Sequence, residues 1–164
     1  MTPRNTAAAA TLALLLSACG GEGAPPPVQT ITGSSTATAG DARTGAAVLV
    51  LALPGPVLEL AAPATVHVTI SGSAELHAHY AADGTLDVRL AAPVPTGASA
   101  TATRLHHFAP AQVAVAYSVT VALPAGTHEL MASVTARATD LQGRATGALS
   151  TAQATVDWLV EVQP

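Results

Sequence analysis

The sequence predicts an all-β domain built as an antiparallel sandwich, and three observations carry that prediction. Apolar and polar residues alternate with period two over most of the chain after residue 46. Gly, Pro, Asp and Ser separate the runs, as turns between strands require. Seven or eight such runs fit in roughly 120 residues, the usual size of two packed sheets.

The first residues read as a signal, not as part of the fold. Arg4 precedes an apolar stretch from Ala7 to Leu16, and Leu16-Ser17-Ala18-Cys19 follows as a small-residue cleavage box. That order is the layout of a secretory signal peptide over residues 1–18. The apolar stretch is too short for a membrane span, which needs about 20 residues. Cleavage before Cys19 frees an N-terminal amine and a thiol for acylation, so the box resembles that of bacterial lipoproteins. This resemblance implies diacylglycerol on Cys19, a further acyl chain such as palmitate, and membrane anchoring. Two chains suffice for stable anchoring where one does not. By resemblance to diderm lipoproteins, Gly20 in place of Asp after the cysteine implies sorting to the outer membrane; in a host with a single membrane the same box implies display on the outer face of the plasma membrane. The chain has 1 cysteine, so with Cys19 acylated no disulfide can form and the core alone must hold the fold.

Residues 19–45 are expected to be the lipidated cysteine and a flexible tether. Gly, Ala, Pro, Ser and Thr dominate it, with Pro25-Pro26-Pro27 near its start, and such a segment buries too little to offset its ordering entropy. Its reach is about 25–30 Å. Val28 to Thr32 is the one stretch in it with strand character.

The domain is expected over residues 46–164. Ala46 to Leu53 is an unbroken apolar run ended by Pro54-Gly55-Pro56. Thr65 to Ile70 alternates strictly, as do Ala74 to Tyr80, Thr85 to Leu90, Gln112 to Leu123, Glu129 to Thr139 and Ala152 to Val162. A one-residue slip would turn every apolar side chain outward. On that test Ser71-Gly72-Ser73 is a hairpin loop that sets Val68 opposite Leu76 and Val66 opposite Ala78. Ala82-Asp83-Gly84 is a second loop, setting Tyr80 opposite Leu86, with Gly84 at the left-handed position. The expected result is a three-stranded meander. Val68, Leu76, Leu86, Val88, Val115, Val119, Val121, Val134, Val156 and Trp158 are the expected core. With 49% apolar but 2% aromatic residues, that core consists of small side chains.

One stretch carries a family resemblance. A strand ending Leu123-Pro124-Ala125-Gly126-Thr127 precedes an alternating strand that closes on Ala138-Thr139-Asp140-Leu141-Gln142-Gly143. This resembles bacterial immunoglobulin-like or fibronectin-type-III-like modules, in which an A-x-D-x-x-G turn joins the last two long strands. The resemblance implies an immunoglobulin-like sandwich of 7–8 strands. The chain departs from that family in lacking a buried cysteine pair and a tyrosine corner, and its Trp158 lies in the final strand.

Charge and motifs exclude several functions. Six arginines, no lysine and ten acidic residues leave no basic cluster for nucleic acid. Serines occur outside any G-x-S-x-G elbow. Asp83, Asp87 and Glu75 have no pocket in which a pKa could rise. Gly20-Gly21-Glu22-Gly23 lies in the tether, so it is no phosphate loop. Asp140 alone is too few oxygens for calcium.

The six histidines are the remaining candidates. The meander register sets His67 beside His77 with His79 nearby, a weak candidate Cu/Zn set. The same register brings Arg89 and Asp87 alongside, and the guanidinium opposes a divalent cation. Ordinary solvent-facing histidines are the favoured reading, with no metal and no cofactor beyond the lipid on Cys19. His106-His107-Phe108 reads as a loop with a half-buried aromatic, and His128 as a strand-edge polar residue. The expected function is therefore a membrane-anchored, non-catalytic envelope lipoprotein binding another envelope or surface protein or glycan. The alternatives are a periplasmic metal-binding lipoprotein and an accessory subunit of an envelope or secretion machine.

Overall fold

The computed structural model describes residues 27–164, so the cleavage box and Cys19 lie outside the described residues. Eight strands make up the fold: β1 (Gln29–Gly40), β2 (Val48–Leu60), β3 (Ala64–Ala78), β4 (Ala82–Ala92), β5 (Thr96–Leu105), β6 (Ala111–Leu123), β7 (Gly126–Thr139) and β8 (Leu149–Gln163). They form two antiparallel four-stranded sheets, β1-β8-β3-β6 and β2-β7-β4-β5. The expected all-β sandwich is present.

Its winding follows a simple rule. β1 pairs with β8, β2 with β7, β3 with β6 and β4 with β5, as in a ribbon doubled back at the β4–β5 turn. Rolling that double ribbon brings β8 against β3 and β7 against β4. This is the strand order of a jelly roll. In the immunoglobulin order the first two strands share a sheet; here β1 and β2 lie in opposite sheets.

Three local expectations are corrected. The stretch expected as tether up to residue 45 is strand from Gln29 to Gly40, paired with β8 over twelve consecutive residues. The ladder pairs one side of its backbone with β8, and Thr favours extended backbone, so the strand does not depend on burying large side chains of its own. Ile31, Ala37 and Ala39 still face inward and pack against the core.

The meander is also replaced. Ser71-Gly72-Ser73 lies within a single continuous strand, β3, which pairs with β8 on one side and β6 on the other. The inward phase runs unbroken through Val66, Val68, Ile70, Ala74, Leu76 and Ala78. Gly72 is needed for proximity, since a Cβ there would stand 2.1 Å from the Thr155 carbonyl oxygen. Ala82-Asp83-Gly84 begins β4 in the other sheet, so Tyr80 and Leu86 are not hairpin partners.

Pro54-Gly55-Pro56, lastly, does not end β2. The strand continues through it with a register shift between Pro54 and Val57, as a bulge on an edge strand allows. A Cβ on Gly55 would lie 2.9 Å from the Trp158 ring, so the bulge closes the core directly over the indole.

The core is as expected from alternation. Val68, Leu76, Leu86, Val88, Val115, Val121, Val134, Val156 and Trp158 are buried, and Val119 is partly buried against them. Trp158 is the largest fully buried side chain.

Candidate binding surface

Because all pairings are antiparallel, connections after odd-numbered strands gather at one end of the sandwich. These are 41–47, 79–81, 106–110 and 140–148. Connections 61–63, 93–95 and 124–125 lie at the other end, where the chain enters β1 and leaves β8.

The first end is a hydrogen-bonded platform. Ala46 and Leu149 exchange backbone bonds of 2.7 and 3.0 Å, and His79 N–H donates to Ala148 O at 2.7 Å. The Tyr80 and Thr146 hydroxyls are bonded to each other. Asp41 Oδ1 accepts from Arg43 N–H at 2.8 Å, closing a local turn.

The A-x-D-x-x-G turn sits here. Asp140 Oδ1 accepts from the N–H groups of Gln142 and Arg144, each at 2.9 Å. Asp140 O accepts from Gly143 N–H at 3.0 Å, and Gly143 takes φ 76°, the left-handed region. With its neighbours folded back on Asp140, Leu141 projects outward at 75% exposure.

On the β5–β6 loop, Phe108 is 93% exposed, not half-buried as expected. Its ring meets the His107 ring edge-on at 4.2 Å. Tyr80 is 47% exposed. The chain's 1 Phe is thus held in water at a loop tip, a costly placement for an aromatic in so small a core. Sequence reasoning found both loops but missed this exposure, since the adjoining His106-His107 gave no sign of which side faced inward.

The histidine candidates are dispersed. His67 and His77 share the outer face of β3, but ten residues apart, roughly 33 Å along an extended strand. His67 bonds Thr120 Oγ1 at 2.9 Å through Nδ1 and Ser118 Oγ at 3.1 Å through Nε2. His77 Nε2 bonds Glu75 Oε1 at 2.6 Å. His79 lies past the strand end, its Nε2 buried without a hydrogen-bond partner. Among the described residues no group of three potential metal ligands comes together. Arg89 and Asp87, expected beside these histidines, lie in the other sheet.

The carboxylates are separated too. Asp83 pairs with Arg104 at 3.2 Å and Asp87 with Arg137 at 3.5 Å. Glu75 also accepts from Gln112 at 3.2 Å. An open depression of about 450 Å³ on the outer face of β1-β8-β3-β6 is lined by Thr32, Ser34, Ser71, Asp157 and Leu159 among others, with Asp157 as its one carboxylate. Acid–base chemistry by two carboxylates needs a second one. His128, near the start of β7, donates from Nε2 to Pro124 O at 2.8 Å, which fixes the turn there.

No protein-family model and no curated protein sequence matches the chain.

Proposed function

We propose that the chain is a membrane-anchored, non-catalytic envelope lipoprotein that binds another envelope or surface component through its loop end. The observation that supports this best is polarity of placement. Exposed Phe108, Leu141 and Tyr80 stand at the end opposite the one where the chain enters at Gln29. A lipid on Cys19 would hold the entry end near the membrane and leave the loop end free. Gly20 after the acylated cysteine favours the outer membrane.

The loop end has the makings of a protein contact. It offers exposed Phe108 beside His107, and Leu141 and Tyr80 on loops already fixed by hydrogen bonds, so docking on those two loops loses little conformational entropy. Arg43 and Arg144 flank it and make no ion pair among the described residues. Glu75, Asp83 and Asp87, the carboxylates weighed as acids or bases, each have a partner of their own, which favours binding over catalysis.

Two measurements test the reading. Cys19→Ser should abolish lipid labelling and leave precursor of full length; a processed, membrane-bound Ser variant would refute anchoring at this residue. A photo-crosslinking side chain placed at Phe108 or Leu141 in the full chain should trap one discrete partner in the native envelope. The same group at Val28 or Val94, on the opposite end, should not. Equal trapping from both ends would remove the loop end from the proposal.

A further inference from the structure

The two sheets differ in how their edges are protected. An edge strand presents unpaired N–H and C=O groups, and proteins blunt it with charge, proline, bulges or a covering element. The β2 edge has Pro54, Pro56, a bulge and Glu59. The β5 edge has Gly97 in the left-handed region at φ 36° and Arg104. The β6 edge has no charge, proline or register shift, and Tyr117 ties it to the other sheet, its hydroxyl donating to Thr96 O at 2.7 Å.

β1, which packs against β2 of the other sheet, also has no charge, proline or bulge. Over QTITGSSTATAG its ladder with β8 runs for twelve pairs without a register shift. Among the described residues, every backbone bond of this strand goes to β8. About half of its N–H and C=O groups therefore face away from the sheet. Every inward-pointing residue of β1 is only half-buried, whereas its neighbours on β8 are fully buried.

We propose that β1 is a dimer edge, on which the β1 of a second copy adds antiparallel to make one continuous eight-stranded sheet. The sequence of β1 is its own complement. A two-fold axis at Ser34 sets Thr32 opposite the partner's Thr36 and Thr30 opposite the partner's Thr38 on the outer face. On the inner face it sets Ile31 opposite the partner's Ala37, a large side chain against a small one. Thr–Thr pairs are favourable across antiparallel strands, and like charges, which would oppose self-pairing, are absent. A two-fold contact of this kind closes at two copies. The inference does not rest on the loop-end reading, because pairing along β1 leaves both loop ends uncovered.

Sedimentation equilibrium of the full chain, in reductant and density-matched detergent at tens of micromolar, tests it. The wild type should sediment at twice the monomer mass. Ser34→Lys, which sets two ammonium groups face to face on the axis at an exposed position, should halve that mass. Its thermal midpoint at low concentration should match that of the wild type. A monomeric wild type overturns the proposal. So does a Ser34→Lys variant that remains dimeric, which would put the contact elsewhere, or an open-ended series of larger species.

Discussion

The indole N–H of Trp158 donates to Ser35 Oγ at 3.0 Å, joining the innermost side chain of β8 to the edge strand β1. Trp158 is 2% exposed, and a buried indole N–H without an acceptor is costly. Ser35 therefore supplies the core with its acceptor from the edge strand. Ser35→Ala should destabilise the domain by about 1–3 kcal/mol. Urea titration followed by Trp158 fluorescence would measure it. A loss below a few tenths would mean that the indole finds another acceptor.

Gly72 distinguishes a continuous β3 from a hairpin at the same residues. A methyl group at 2.1 Å from Thr155 O forces β3 and β8 apart, so Gly72→Ala should cost at least the 1–3 kcal/mol typical of overpacking. In an exposed hairpin loop the same change would be close to neutral. Chemical denaturation of the two proteins separates these outcomes.

Val121 faces Val66 across the β6–β3 ladder, and both are buried. Val121→Asp places a carboxylate among apolar side chains, at several kcal/mol against a total stability of about 5–15. The variant should lose its cooperative thermal transition. A folded variant with native near-ultraviolet circular dichroism would show that the core opens there to water.

The dispersed histidines make a prediction about metal. His67 and His77 stand far apart on β3, both engaged in hydrogen bonds, and no group of three potential ligands gathers among the described residues. Titration calorimetry with Zn²⁺ or Cu²⁺ should detect no stoichiometric site of submicromolar affinity. His77→Ala should change stability by about 0.5 kcal/mol or less. One tight equivalent, lost in that variant, would restore metal handling as the leading function.

The central strands were legible because their alternation involves Val, Leu and Ile. The missed strands, β1 and β5, are both edges, where half-burial accepts Thr, Ser, Ala and Gly and the hydrophobic period fades. The false hairpin at Ser71-Gly72-Ser73 came from treating glycine as a turn signal. Even-numbered positions stay inward from Val66 to Ala78, so the phase itself pointed to one strand. The Asp140 turn could be read residue by residue, since its chemistry is local. The placement of Leu141, Tyr80 and Phe108 at one end could not, because only the winding of distant strands brings those loops there.

Thr36 and Thr155 hydrogen-bond at 3.0 Å across 119 positions of sequence. Among the described residues β1 is the first strand, and its one neighbour in the sheet is the eighth. β8 also separates β1 from β3, so neither can take its final place until β8 is available. Such distant pairing makes folding slow and leaves an uncharged strand exposed meanwhile. A chain ended by a premature stop before Leu149 would lose the middle of a sheet rather than its rim. It should aggregate, not persist as a smaller domain.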